Sequence, residues 1–301
     1  MKHSFLRINT LSAVLLAMTA QVMAQEPTPP YLDDNQPIEV RVEDALSRMT
    51  LKEKIAIIHA QSKFSSPGCP RLGIPELWMS DGPHGVRRQL GEGDHLGIGV
   101  SKPATCFPTA GTVANSWDPA LAEEMGEALG NEAHDLDVNV LLGPGLNIKR
   151  NPLCGRNFEY YSEDGVLAGK LAAAQVNAMA TKGTYNYIKH FALNDQETNR
   201  CAFLLTYSNE QAIREIYLKP FELCIKNFDG TQIAVMSSFN WIGTVPACAN
   251  EDTLTTILRN EWGFQGMVIT DYDGSYGYMI TDHCVRTGND LMLGFSSQAS
   301  N

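Results

Sequence analysis

What most constrains this chain is an alternation of short apolar runs with long helical patterns. The apolar, β-prone runs fall at Glu76–Met79, Val138–Leu142, Tyr187–Ile188, Ile233–Met236, Met267–Thr270 and Leu291–Leu293, and helical periodicity fills most of the gaps between them. Strands separated by helix-length stretches are parallel neighbours joined by crossovers, because antiparallel partners need only a tight turn. The chain is therefore α/β, as a barrel or an open sheet. The polar residues favour the barrel. Met79-Ser80 runs into Asp81, Leu142 into Gly143 through Asn147, Ile188 into Lys189-His190, Met236 into Ser237 through Asn240, and Thr270 into Asp271. Functional groups gathered at the carboxyl ends of parallel strands are how a (β/α)8 TIM-type barrel builds its site, so that architecture is expected, in a regular, incomplete or collapsed form.

The helices carry readable ends. Thr50 with Glu53 reads as a capping box, Asp118-Pro119 as an N-cap followed by a first-turn proline, and Ser162 opens a helix that Gly183 closes. Ser208 with Gln211 caps a stretch reaching Lys226 that Pro220 should kink, and Asn250 starts a helix that ends at Gly263. Residues 1–24 stand apart. Lys2 and Arg7 precede an apolar run from Leu11 to Ala20 and the small-residue pattern Val22-Met23-Ala24, the layout of a secretory signal, so a periplasmic or secreted location is expected. Residues 25–40, rich in proline, read as an extended leader, and 41–301 as the barrel domain. No apolar run reaches the ~20 residues of a membrane span.

Charge narrows the partners. With 23 Lys+Arg against 34 Asp+Glu, the net charge of −11 argues against gripping a phosphate backbone, so no nucleic-acid partner is expected. Seven cysteines lie far apart with no Cys-x-x-Cys pair, and no His-x-His, His-Glu-x-x-His or calcium loop occurs. Neither a dinucleotide fingerprint nor a Walker loop is present, and no metal or cofactor is expected.

Several side chains could carry chemistry. Asp271, after the buried-type strand Met267–Thr270, would project from a rigid element as a nucleophile does; capping the next helix is the plain alternative. Lys189 and His190 sit in an apolar setting, and strand alternation should send them to different sides, one lining the pocket and one bracing it. Asp81 opens Asp81-Gly82-Pro83-His84-Gly85, where glycines allow a sharp fold that could hold the carboxylate against a ligand or simply make a turn. Arg150 and Arg156 bracket Asn151–Gly155 with Glu159 and Glu163 near enough to pair, which suits either ligand binding or structural ion pairs.

Taken together, Ser80-Asp81-Gly82-Pro83-His84-Gly85-Val86-Arg87, Leu142-Gly143-Pro144 through Arg150-Asn151-Pro152-Leu153-Cys154-Gly155-Arg156-Asn157-Phe158-Glu159, Lys189-His190-Phe191 and Glu261-Trp262-Gly263-Phe264-Gln265-Gly266-Met267-Val268-Ile269-Thr270-Asp271 resemble the N-terminal barrel of glycoside hydrolase family 3. The β-glucosidase branch is the nearest in pattern. The resemblance implies retaining hydrolysis of a terminal, non-reducing β-D-glucosyl residue through a covalent glycosyl-aspartate at Asp271. It also places Asp81, Arg156, Lys189 and His190 on the sugar hydroxyls. The implied partner is a β-linked oligosaccharide or an aryl or alkyl β-glucoside. Within the same family a β-xylosidase or β-N-acetylglucosaminidase is the alternative; outside catalysis, a carbohydrate-binding remnant.

Two positions depart from the family pattern. Phe239 in Ser238-Phe239-Asn240 stands where relatives often carry Tyr, and Tyr272 follows Asp271 where many place Trp. In that branch the acid/base is a Glu on a C-terminal sandwich domain, so a chain ending at Asn301 reads as truncated before it. Retention needs a second carboxyl about 5 to 5.5 Å from the first. Asp195 and Glu197, after the Lys-His strand, are the substitutes within the chain.

Overall fold

The structure, a computed structural model, describes residues 28–62, 64–90, 99–200, 204–230, 232–272 and 280–293. The expected signal segment, 1–24, lies outside them. The chain divides into two compact units, Met1–Thr50 and Leu51–Asn301. In the first, a 3-10 turn at Pro30–Leu32 precedes helix Ile38–Arg48. That helix begins inside the expected leader, because Pro37 presets the entry dihedral and Glu39 places a carboxylate at the positive helix end. Asp44 then accepts from the Tyr31 amide and from the Arg48 guanidinium.

Among its described residues the second unit holds nine short strands: β1 Ser65–Ser66, β2 Leu77–Asp81, β3 Val140–Leu142, β4 Tyr185–Phe191, β5 Leu205–Thr206, β6 Ile233–Ser237, β7 Trp241–Ile242, β8 Val245–Pro246 and β9 Val268–Ile269. Six form one sheet in the order β1-β2-β3-β4-β6-β9, and β5-β7-β8 form a small second sheet. In the larger sheet β2, β3, β4, β6 and β9 are parallel, and β1 pairs antiparallel with β2. Parallel bridges carry it on from Ile269 to Leu291 and from Met292 to His59. The expected run at Leu291–Leu293 is thus a bridging segment. Among the described residues a regular eightfold repeat is replaced by a barrel-like, incomplete sheet.

Strand alternation sorts the core into two layers. Leu141, Ile188, Ile233, Val235 and Val268 pack with the helices in one cluster; Val140, Leu142, Tyr187, Ala234, Met236 and Ile269 form a second on the opposite face. On the helical side, Pro119–Asp135 packs on Gly165–Ala180 so closely that a Cβ at Gly126 would lie 2.4 Å from the Gln175 carbonyl oxygen. Asp118 caps the first of these helices as expected. The second is capped by Asp164, not Ser162, because the shorter Ser162 side chain is taken by the Asp164 amide. Asn209, not Ser208, caps the next segment through the Ala212 amide. That segment passes through a π-helical turn, Ile213–Tyr217, and restarts at Lys219–Lys226 with Pro220 in its first turn, where a missing amide costs nothing. Asn250 caps the π-helical stretch Asp252–Glu261, and Gly263 ends it at φ 73°. Among the described residues no helix is long and apolar enough to cross a membrane.

Candidate active site

Because β2, β3, β4, β6 and β9 are parallel, their carboxyl ends share one edge. Asp81 closes β2, Lys189 and His190 lie near the end of β4, and Asp271 follows β9 by two residues. Backbone pairing holds β4 against the segment after β3: Lys189 donates its amide to Pro144, and the Lys189 carbonyl accepts from Leu146. Asn147 completes the clamp, donating to the His190 carbonyl at 2.9 Å and accepting from the His190 amide at 2.8 Å. Gly143 is required here because any Cβ would lie 2.6 Å from Pro83 of the loop after β2.

The four groups expected to touch a ligand meet in one charged cluster. Lys189, 2% exposed, donates from Nζ to Asp81 Oδ1 at 3.0 Å and stands 3.1 Å from Glu159 Oε1. Arg156 holds Glu159 bidentately, with Nε 2.6 Å from Oε2 and Nη2 2.8 Å from Oε1. Burial works against every charge here, yet the pairing wins. Glu159 is held down at about 2 by Lys189 and Arg156 in spite of its burial. Asp81, similarly opposed by burial, is lowered by Lys189, and the Lys189 ammonium is raised by Asp81 and Glu159. Arg156 therefore pairs with Glu159 as one of the two readings anticipated. Arg150 does not pair with Glu163; it takes Asp195 at 2.6 Å.

Lys189 and His190 do not part to different sides. The β4–β6 register shifts between Ile188 and Phe191, and this interruption of the two-residue period lets both side chains enter the same cluster. His190 Nε2 stands 3.7 Å from Asp271 Oδ2. Burial, reinforced by Arg156, Lys189 and Arg200, pushes the imidazole well below its ordinary range, so it is neutral.

Asp271 is 7% exposed. Its Oδ1 accepts from the Tyr272 amide at 2.6 Å, while Oδ2 is buried with no hydrogen bond among the described residues. Arg200 Nη1, also buried and without a hydrogen-bond acceptor there, lies 3.8 Å away. Burial raises the Asp271 carboxyl above the ordinary range, while Arg200, Arg156, the Tyr272 amide and Lys189 pull the other way. One oxygen is thus anchored and the other is left basic and uncommitted, which is how a carboxylate nucleophile is prepared.

Arg200, Glu159 and Tyr160, the last of which contacts His190 Nδ1, are residues that sequence reasoning did not place in the site. Arg200 lies ten residues beyond His190 with no motif of its own, and Glu159 had read only as an ion-pair partner. The guanidinium of Arg200 sits over the Phe239 ring, 4.6 Å from its centroid, so the position without a Tyr hydroxyl instead supplies an aromatic face. Tyr272 stacks on Phe64 at 5.8 Å. Neither substitute acid is poised to protonate a leaving group. Asp195 is held by Arg150, and Glu197 accepts from Asn194 at 2.9 Å and is ion-paired with Arg200 at 3.1 Å.

A cleft of about 510 Å³ is lined by Asp81, Arg156 and Glu159 together with His84, Arg87 and Phe158. A larger one of about 610 Å³, lined by Tyr207, Arg214, Thr253 and neighbours, holds none of the convergent charged groups, whereas the smaller cleft opens onto the Asp81, Arg156 and Glu159 side of the cluster without being lined by Lys189, His190 or Asp271. Among the described residues no group of three or more His, Cys, Asp or Glu is placed to hold a metal ion.

The sequence matches the glycosyl hydrolase family 3 N terminal domain over residues 47–289. It is 44% identical over 295 residues to beta-glucosidase BoGH3A of Bacteroides ovatus, spanning 98% of this chain and 39% of that protein. An exo-alpha-(1->6)-L-arabinopyranosidase of Bifidobacterium longum is 42% identical over 76% of this chain and 30% of its own length. In structure, beta-glucosidase 3B from Thermotoga neapolitana, solved in complex with glucose, superposes with a TM-score of 0.76 at 35% identity, over 86% of this chain and 37% of that one. The chain therefore spans well under half the length of these relatives. Its strand-end carboxylates, paired cations and family match agree, and the chain belongs to glycosyl hydrolase family 3, through that family's N-terminal domain.

Proposed function

We propose that this chain carries the sugar subsite and the nucleophile of a retaining, exported β-glucosidase. The observation behind it is the uncommitted, buried Oδ2 of Asp271, set between His190 Nε2 and Arg200 Nη1 at the carboxyl edge of the sheet. Oδ2 attacks the anomeric carbon of a terminal β-D-glucosyl residue and displaces the aglycone, giving a glycosyl ester that water later cleaves with net retention. Asp81 accepts from sugar hydroxyls, while Lys189, Arg156 and His190 donate to them. Such buried polar groups reject a sugar that leaves them unpaired, which makes the subsite selective. With Asp195 and Glu197 committed to arginines, the proton for the leaving oxygen comes from a carboxyl outside the described residues, a role consistent with relatives two to three times as long. Export rests on the signal-like residues 1–24 alone.

The sugar is tested with activated aryl glycosides, whose aglycone departs with little protonation. A burst of about one aglycone per chain from the β-glucoside, and a much slower one from the β-xyloside, β-N-acetylglucosaminide and α-L-arabinopyranoside, is expected. A faster burst from another sugar reassigns the specificity. Calorimetric glucose binding with no burst from any of them reduces the chain to a binding module.

A further inference from the structure

Tyr160, fully buried, places its Oη 2.9 Å from His190 Nδ1, with the two rings at 84°. Asn194 Nδ2 lies 3.1 Å from the same Oη and 2.9 Å from Glu197 Oε1. Counting protons along this chain leaves one arrangement. The Glu197 carboxylate only accepts, so the Asn194 amide must turn its NH2 toward it; the flipped amide would set oxygen against oxygen. The second hydrogen of that NH2 then points to Tyr160, whose oxygen is the acceptor. The phenol has a single proton of its own, and His190 Nδ1 is its one remaining partner among the described residues. Nδ1 therefore accepts, and the imidazole proton resides on Nε2.

We infer that Tyr160 is a positioning residue that fixes His190 as the Nε2-protonated tautomer, making Nε2–H an obligate donor toward the sugar hydroxyl held beside Asp271. The inference rests on the proposed sugar subsite and deepens it. At 3.7 Å from Oδ2 the Nε2–H is too distant to consume the nucleophile's lone pair, so it stays available to a hydroxyl acting as acceptor. A ring fixed in this tautomer cannot take a proton from that hydroxyl or from water at Nε2, which keeps His190 from acting as a competing base. Glu197, at the far end of the relay, gains a role other than acid catalysis: it sets the orientation of Asn194. The charged and titratable groups facing the imidazole are Arg156, Lys189, Arg200, Asp271 and Tyr160, and the three cations agree with burial in keeping the ring uncharged.

Nitrogen-15 NMR of the histidine-labelled full chain without sugar reads this directly, with His190 assigned by the resonance lost in His190→Gln. The expected spectrum has His190 Nδ1 at the pyridine-like shift and Nε2 at the pyrrole-like shift at neutral pH. Tyr160→Phe removes the one donor to Nδ1 among the described residues and should populate the Nδ1–H tautomer, with the imidazolium appearing at a higher pH than in the parent protein. A parent spectrum with the proton on Nδ1, or a Tyr160→Phe spectrum identical to the parent's, overturns the inference. Should Tyr160→Phe not fold, the parent spectrum decides alone. Because no substrate is present, a failed aglycone burst leaves this result intact, and the reverse holds equally.

Discussion

As the proposed nucleophile, Asp271 must be anionic enough to attack and basic enough to do so effectively, and its two oxygens divide those demands. The Tyr272 amide fixes Oδ1, and burial leaves Oδ2 basic within reach of two cationic or donor groups. Asp271→Asn should lower the burst rate by roughly four orders of magnitude or more while leaving glucose binding measurable by calorimetry. Lys189 answers for two carboxylates at once. Lys189→Met leaves buried Glu159 short of a partner and should cost about 3 to 5 kcal/mol in urea unfolding. Glu159 also gives the stability a pH signature. Its folded-state carboxyl lies at about 2 against an ordinary 4.5, so its contribution is complete above the ordinary value and fades as pH falls toward the lower one. Thermal melts through that window should show a slope that Glu159→Gln lacks; equal slopes would remove Glu159 from the account. Of these residues, Asp81, Arg156, Lys189, His190 and Asp271 were legible from strand ends and motif resemblance. Arg200 and Tyr160 were not, since each reaches the site by a tertiary contact that no local spacing encodes.

Among the elements, the strands were the most legible, because a run such as Ile233–Ser237 is apolar on both faces and sits between helix-length segments. Apart from the helix that begins at Ile38, inside the expected leader, helix ends were read to within a residue or two. Competing Asx and Ser caps near one another, Ser162 beside Asp164 and Ser208 beside Asn209, were resolved only by which oxygen reaches an orphan amide. The register shift in β4 was illegible, and it changes the outcome for Lys189 and His190, since regular alternation would have separated them. Close helix contact at Gly126 is likewise invisible to composition. Gly126→Ala must force helix Pro119–Asp135 away from Gly165–Ala180 and should destabilise by about 1 to 3 kcal/mol, although alanine is the better helix former. A stabilised variant in denaturant unfolding would show that the two helices do not approach as described.

For the whole molecule, the parallel sheet explains why residues 190 positions apart, Asp81 and Asp271, serve one site: each sits at the carboxyl edge of a strand in the same sheet. The barrel-like architecture, incomplete forms included, was expected from the order of elements, but the places where its strands shrink to single bridges were not, because bridges as short as Ile269 with Leu291 leave no periodic trace. The division of labour also appears only at this scale. The proposed nucleophile and hydroxyl ligands lie on described strands and loops, whereas Asp195 and Glu197, the carboxyls weighed as acids, are paired with arginines. The central claim is the covalent step, and the most direct measurement is peptide mass spectrometry after incubation with an activated 2-deoxy-2-fluoro aryl β-glucoside. A fluoroglucosyl ester on Asp271, absent from Asp271→Asn, is the predicted result; an unmodified Asp271 peptide, or an adduct on another carboxylate, contradicts the mechanism.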